Sequence, residues 1–219
     1  MERHAGGGVI ASIFRRTVLT AAALAGALAL TNAHAQDADK AAELAKKLAN
    51  PVASLISVPL QYNYDENYGP NDDGSKAVLN IQPVIPFSLG QDWNLVLRTI
   101  IPLVDQQDLP VKGAGESGLG DVVQSWFFSP KALVGGWIVG LGPVIAFPTA
   151  SDPTLGSEKW GIGPTALALR QESGWTYGAL VNHIESFAGD ETRNYVSASF
   201  VQPFLSYITR TKTTLGVNT

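Results

Sequence analysis

The chain of 219 residues contains no cysteine, and charged residues make up only 16% of it. Without cysteine there is no disulfide framework, no thiolate zinc site and no cysteine nucleophile. Sparse charge combined with 22 glycines is more typical of an all-β protein than of a helical one. The formal net charge of −4 gives no basic footprint, so we expect no nucleic-acid partner.

Familiar catalytic and metal-binding motifs are also missing. The three histidines are His4, His34 and His183, and none stands in an H-E-x-x-H or comparable ligand spacing. The sequence has no G-x-S-x-G motif and no phosphate-binding loop, because the glycine-rich stretch 117–121 lacks the lysine and the following helix. We therefore predict no enzyme activity, no metal and no cofactor, and we expect His183 to be an ordinary lumen or interface residue.

The first 35 residues have the pattern of a secretory signal peptide. Arg15 and Arg16 supply the positive charge, an apolar stretch follows over 18–30, and Ala33-His34-Ala35 forms an A-x-A cleavage site. The apolar stretch is too short for a transmembrane anchor. We expect export and removal of residues 1–35.

The next segment, 36–50, predicts a short helix. Ala41, Leu44, Ala45 and Leu48 recur at helical spacing and form one narrow apolar stripe. Asn50-Pro51 ends it, because the residue before proline avoids the helical region. We expect a packing helix, with a plug or a periplasmic contact as the alternative.

The segment 76–103 shows the pattern that dominates the rest of the chain. Apolar residues alternate with polar ones, and a turn at 89–92 separates two such runs. Alternation of this kind predicts an antiparallel hairpin with one apolar and one polar face. Each run has roughly the 9–11 residues that a tilted strand needs to cross a bilayer.

From residue 51 onward the hairpin pattern repeats without a helical interruption. The predicted strands are 52–64, 76–88, 92–104, 118–129, 135–147, 160–171, 175–187, 194–208 and a piece from 213. Long polar connectors at 65–75, 105–117 and 148–159 alternate with short ones at 89–91, 130–134, 172–174 and 209–212. Outer-membrane barrels have this arrangement, with short periplasmic turns and longer external loops. The connector 188–193 is shorter than its counterparts.

Aromatic residues and prolines give opposite indications. Nine aromatic residues lie near predicted strand ends, as in the girdles of membrane barrels: Tyr62, Tyr64, Tyr68, Trp93, Trp126, Trp137, Trp160, Trp175 and Tyr207. Seven prolines fall in or near strands: Pro59, Pro83, Pro86, Pro102, Pro143, Pro164 and Pro203. Proline cannot donate to a ladder, so each must lie near a rim, at a bulge, or where one hydrogen bond is lost.

Several of these segments resemble the family called MetA-pathway of phenol degradation. The similar segments are 50–59, 80–86, 117–121, 156–161 and 202–207, and the likeness extends over nearly everything after about residue 43. The resemblance implies a bacterial outer-membrane barrel, often labelled a transporter and linked to uptake of aromatic compounds. It implies no catalytic residues.

The end of the sequence differs from that family. The chain stops at Thr219 within a predicted strand, without a terminal aromatic residue. Eight complete strands and a piece also do not give the even strand number of bacterial barrels. We therefore expect that C-terminal strands of the complete barrel are missing from this chain.

Polar residues in mid-strand are the candidate pore lining. Arginine facing lipid at mid-depth costs about 2–4 kcal/mol, so we expect the arginines of this set to point inward. The set is Asn80, Gln82, Asn94, Arg98, Gln124, Arg170, Asn182 and Gln202. These residues would line an open pore or fill a closed interior, and the sequence does not separate the two. Asp121, Glu158 and Lys159 form a second candidate set at the barrel mouth.

Taken together, residues 51–219 predict an antiparallel up-and-down β-barrel in the outer membrane. The expected function is passive passage of small solutes, for which the family resemblance implies aromatic compounds as one class, with outer-membrane lipid as the surrounding partner. The sequence leaves the oligomeric state open. One alternative is a soluble periplasmic barrel with an apolar ligand, in which Leu79, Ile81, Leu95 and Leu97 would line the cavity. A filled structural barrel is a second alternative, and a lipid-acting enzyme with His183 as its base ranks last.

Overall fold

The computed structural model of the chain describes residues 40, 43–47, 55–69, 72–209 and 213–218. These residues form an all-β fold with a short helical stretch at 43–47. The strands are β1 (Leu60–Tyr68), β2 (Gly74–Ile81), β3 (Val84–Leu89), β4 (Trp93–Gln107), β5 (Gly115–Leu119), β6 (Val122–Pro130), β7 (Ile138–Phe147), β8 (Lys159–Glu172), β9 (Trp175–Gly189), β10 (Ser197–Ile208) and β11 (Thr214–Asn218). The predicted signal peptide and most of the predicted 36–50 helix lie outside the described residues.

The strands form one antiparallel sheet that follows the chain. Its order is β1-β2-β4-β6-β7-β8-β9-β10-β11, with β3 and β5 also paired to β4. β3 continues β2 in the same register along β4, and the two are separated at Gln82-Pro83. Between β5 and β6 the register shifts by one residue, because Leu103 pairs with Leu119 but Ile100 pairs with Val123. The extra residue makes a β-bulge at Gly120-Asp121.

The prediction of an antiparallel all-β meander is confirmed, and each predicted strand matches one strand or one broken pair. The connectors differ from the prediction. Residues 65–68, 105–107 and 115–117 belong to strands, so the hairpins are extended where long loops were expected. The first strand begins at Leu60 instead of 52, although an isolated bridge from Ser57 to Val84 prolongs its pairing.

The sheet is curled into a half-barrel, and the curl explains how a single layer has a core. The buried apolar side chains of the strands lie on one face, which we call the concave face; the opposite face is the convex face. The concave cluster consists of Val84, Val96, Phe127, Leu167, Leu169 and Leu180, with Ile138 and Phe204 packed against it. These residues come from several different strands, so they bury one another only because the sheet bends around them.

Two Gly-Pro pairs sit where ladder pairing is interrupted. Pro143 and Pro164 face each other across β7 and β8. On the outer side of this pair, β6 does not pair with Pro143 and β9 does not pair with Pro164. The preceding residues are Gly142 and Gly163, and a Cβ at either would coincide with a backbone carbonyl oxygen, that of Trp126 or that of His183. Proline provides no N–H for the neighbouring strand, and the carbonyl there occupies the space that only glycine leaves free.

Replacement of Gly142 by alanine should therefore destabilise the sheet, because the clash is with backbone and one strand must move. We expect a loss of about 2 kcal/mol, within the ~1–3 kcal/mol typical of overpacking, measured by urea unfolding of the purified protein. Gly216→Ala is the matched control, since its nearest contact is the side chain of Ser206 on the last strand pair. Equal stability of the two variants would contradict this account of the Gly-Pro pairs.

Candidate functional site on the concave face

Strand β4 shows how the two faces differ. Val96, Arg98, Val104 and Gln106 are buried, and they share the even-numbered, concave-facing positions of the strand. The odd-numbered positions carry Trp93, Leu95, Leu97, Thr99, Ile101 and Leu103. Their partners in β2, β3 and β6 by register are also mostly apolar and convex-facing. The concave face therefore carries polar groups together with apolar ones, whereas the convex face of β4 is apolar from Trp93 to Leu103 except for Thr99.

A ladder of polar side chains crosses the concave face from β4 to β1. Arg98 donates through Nη2 to Oε1 of Gln82 at 2.6 Å. Gln82 donates in turn to Gln61 at 2.8 Å, and Gln61 donates to Asn63 at 3.2 Å. The links join residues far apart in sequence, so the ladder fixes β1, the β2–β3 junction and β4 to one another and orients the guanidinium.

Arg98 is 8% exposed, yet no carboxylate of the described residues forms an ion pair with it. Its one hydrogen-bond partner there is Gln82. The one fully sealed side-chain nitrogen or oxygen without a partner in the described part of the chain is Nε1 of Trp126. The unbonded nitrogens of Arg98 must therefore retain access to the concave side.

Ser125 lies directly opposite Arg98 in the β4–β6 register. It is 2% exposed, and its hydroxyl has no partner among the described residues. One step further along both strands, Val96 pairs with Phe127, and both are fully buried. The concave face thus changes at Arg98 from hydrogen-bonding groups to the apolar cluster.

The structure distributes the predicted pore-lining residues over both faces. The strand register places six of them on the same face as the buried residues Val104, Thr165 and Leu180. These six are Asn80, Gln82, Asn94, Arg98, Asn182 and Gln202. Within this set, the one side-chain hydrogen bond that the described residues show joins Arg98 to Gln82. The remaining members lie at separate heights and on separate strands.

Gln124 and Arg170 are on the convex face, so the expectation that they point inward is wrong. Gln124 pairs with Thr99 in the register and donates to its hydroxyl at 3.2 Å, which satisfies both polar groups on an otherwise apolar surface. Arg170 is near the end of β8 and forms an ion pair with Glu172 at 2.8 Å. Arg170 is at the end of the strand instead of its middle, so its guanidinium lies beside the carboxylate of Glu172, the last residue of β8.

The second predicted set, at the mouth, is organised by the bulge at Gly120-Asp121. The carboxylate of Asp121 accepts hydrogen bonds from the N–H of Ser157 at 2.6 Å, from its hydroxyl at 2.7 Å and from the N–H of Ala150 at 3.2 Å. These contacts hold the β7–β8 connector, residues 148–158, over the end of the concave face. Leu155 of this connector is 7% exposed and packs on Gly118, where an added Cβ would crowd Leu155 and clash with Ser151 of the same connector.

A second connector reinforces the same contact. Arg193, in the β9–β10 connector, donates to the carbonyl oxygen of Pro153 at 2.8 Å and also to that of Gly156. It forms an ion pair with Glu158 at 3.2 Å. Lys159 begins β8, and its N–H donates to the Ser157 hydroxyl at 3.2 Å. We call the contacts of Asp121 and Arg193 with residues 148–158 the mouth latch.

The mouth latch borders a cavity of about 320 Å³ with four carboxylates in its lining: Asp121, Asp152, Glu158 and Asp190. Each carboxylate is engaged by the protein itself. The hydroxyl and N–H of Thr154 lower the pKa of Asp152, and those of Thr192 lower the pKa of Asp190 in the same way. The described residues contain no cluster of His, Cys, Asp or Glu suited to a metal ion. Asp152 and Asp190 accept hydrogen bonds within their own connectors, and Asp121 and Glu158 join different segments.

His183 lies on the convex face. Its Nδ1 lies 2.8 Å from the Ser199 hydroxyl and its Nε2 lies 3.3 Å from Glu185. All three side chains project from β9 and β10 above the apolar part of these strands. The partners of His183 were not foreseen from the sequence, because cross-strand pairing depends on a register that alternation alone leaves open.

No helix in the described ranges is both long enough and apolar enough to cross a bilayer.

Asp121→Ala should release the mouth latch, because three hydrogen bonds to one carboxylate are lost. Hydrogen bonds to a charged group contribute roughly 1.5–3 kcal/mol each, so we expect amide exchange within 148–158 to accelerate at least about tenfold. Hydrogen exchange followed by mass spectrometry measures this. Glu191→Ala, an exposed acid in the neighbouring connector, is the control, and unchanged exchange in Asp121→Ala would show that the carboxylate does not hold the connector.

Comparison with known proteins gives no assignment: no family model, no curated protein and no solved structure matches the chain. The resemblance to the phenol-degradation family stays a prediction from its five similar segments.

Proposed function

We propose that the protein is an outer-membrane β-barrel channel that lets small solutes pass. The observation that carries the proposal is the apolar belt of the convex face. On β4 the convex positions from Trp93 to Leu103 are apolar except for Thr99, and Asp105 follows. Ten residues of strand cover roughly 33 Å, and a tilt of about 40° reduces this to roughly 25 Å, the height of the apolar band of membrane barrels.

The belt continues around the sheet. Large apolar side chains of the convex face are strongly exposed on several strands, among them Phe87, Leu141, Val201 and Leu205. A soluble protein rarely leaves so large a continuous apolar surface uncovered. The soluble-barrel alternative requires Leu79, Ile81, Leu95 and Leu97 to line the interior. These residues share the convex face with Leu103, Ile101, Phe128 and Trp126, so the geometry favours hydrocarbon as the surrounding medium.

Aromatic side chains border the belt at both ends. Trp175 and Tyr207 stack near the turn that joins β8 to β9, with ring centres 4.7 Å apart, and Trp93 begins β4 at the same end. At the opposite end, Trp160 packs edge-to-face on Phe147 at 5.4 Å. Two bands of this kind match the interfacial girdles of membrane barrels, where each ring buries its body and keeps a polar edge in water.

The concave face supports the choice of a solute channel within this class. It carries the hydrogen-bonded ladder of Arg98, Gln82 and Gln61, which needs water or a polar solute at its open end. The apolar cluster around Phe127 and Leu180 also favours a second candidate, a barrel filled by its own side chains. The two candidates differ in whether ions cross.

The position of the belt makes a prediction for membrane insertion. Leu97→Arg places a charge in the middle of the belt, and we expect a loss of about 2–4 kcal/mol in folding into lipid vesicles. Asp105→Arg changes the same face of the same strand at the end of the belt, where the cost falls to about 0–1 kcal/mol. Urea titration of folding in vesicles, read by tryptophan fluorescence, measures the difference, and an equal effect of both substitutions would contradict the belt.

Conductance separates the two candidates. The protein reconstituted in a planar bilayer should give discrete current steps, which Leu97→Arg makes rarer because fewer molecules insert. Membrane residence without current would reject the channel and favour the filled barrel.

A further inference from the structure

Arg98 is a buried cation without an anion. Its side chain is 8% exposed, and among the described residues its sole partner is the neutral amide of Gln82. Removal of a charge from water costs several kcal/mol unless an opposite charge or a full set of hydrogen bonds compensates. One amide oxygen satisfies one of five N–H donors, so the remaining donors call for an acceptor that the described residues do not supply.

The remaining donors are held in a defined direction. The ladder from Gln82 to Gln61 and Asn63 fixes the guanidinium at one nitrogen, which leaves the other nitrogens accessible on the concave side. Ser125, opposite Arg98 in the register, adds a hydroxyl that no described residue engages. A planar fork beside a hydroxyl is suited to a carboxylate, whose two oxygens accept parallel hydrogen bonds from one guanidinium.

The side chains next to Arg98 determine which chemical group can follow the carboxylate of a ligand. Val96 and Phe127 follow Arg98 and Ser125 toward the turn end of the sheet, and both are fully buried in the apolar cluster. A ligand whose carboxylate meets Arg98 would therefore have its body at the border of this apolar region, where an apolar group is favoured over a hydrated one. A hydrophilic anion such as phosphate would gain nothing from that border.

We propose that Arg98 and Ser125 form a binding site for a small monocarboxylate with an apolar or aromatic body. The inference rests on the proposed channel function for the route by which the solute reaches the site, and it names the class of solute. Gln82 is a positioning residue: it holds the guanidinium through Nη2 and leaves the other donors for the ligand.

Binding is tested without conductance, by calorimetric titration of the detergent-folded protein with benzoate. We expect saturable binding, with benzamide and acetate at least tenfold weaker because the first lacks the charge and the second lacks the body. Arg98→Met should abolish binding, and circular dichroism of the variant checks that the fold is retained, because the substitution also leaves the amide oxygen of Gln82 without its donor. Arg98→Lys keeps the charge but loses the fork, and we expect at least a tenfold loss.

Arg170→Met is the matched control, because Arg170 is on the convex face in an ion pair with Glu172. It should bind benzoate as the unmodified protein does. Equal binding by Arg98→Met, or a preference for inorganic phosphate over benzoate, would overturn the site. Benzoate binding without current would reject the channel and leave the site standing, whereas current without benzoate binding would do the reverse.

Discussion

The fold depends on one constraint: the sheet is a single layer, so neither face is covered by a second sheet. One face becomes an interior only because the sheet curls, and the curl needs small residues on the inside. Gly142 and Gly163 supply this where a carbonyl oxygen of the next strand occupies the place of a Cβ. The opposite face has no such cover and carries exposed apolar side chains, which is the observation behind the proposed membrane setting.

The strand pattern was largely predictable, because side chains of a strand alternate with period two and turns have characteristic residues. The breaks within strands were not. Pro83 separates β2 from β3 without any change of register, and the bulge at Gly120-Asp121 shifts the register by one residue. Both depend on how the partner strand β4 is paired, which a local pattern does not contain. The expected loop segments 65–68 and 105–107 are strands for the same reason, since pairing extends polar hairpins beyond their apolar part.

The candidate site was predictable where alternation is regular and not where it fails. Arg98 and Gln82 stand between apolar neighbours of clear period, and both lie on the concave face. Gln124 is soon followed by Trp126-Phe127-Phe128, which places aromatic residues on both faces of β6. The sequence therefore did not show which residues of β6 lie on the concave face. Arg193 and Ser125 were missed altogether, because their roles come from contacts with distant strands and connectors.

The mouth latch has a consequence for the order in which the molecule assembles. It joins a bulge between β5 and β6, the β7–β8 connector and Arg193 of the β9–β10 connector. Contacts so distant in sequence form late, since the intervening chain must be placed first. This end of the concave face therefore acquires its final shape after the strands beneath it, and loss of any one of the three elements loosens the remaining two.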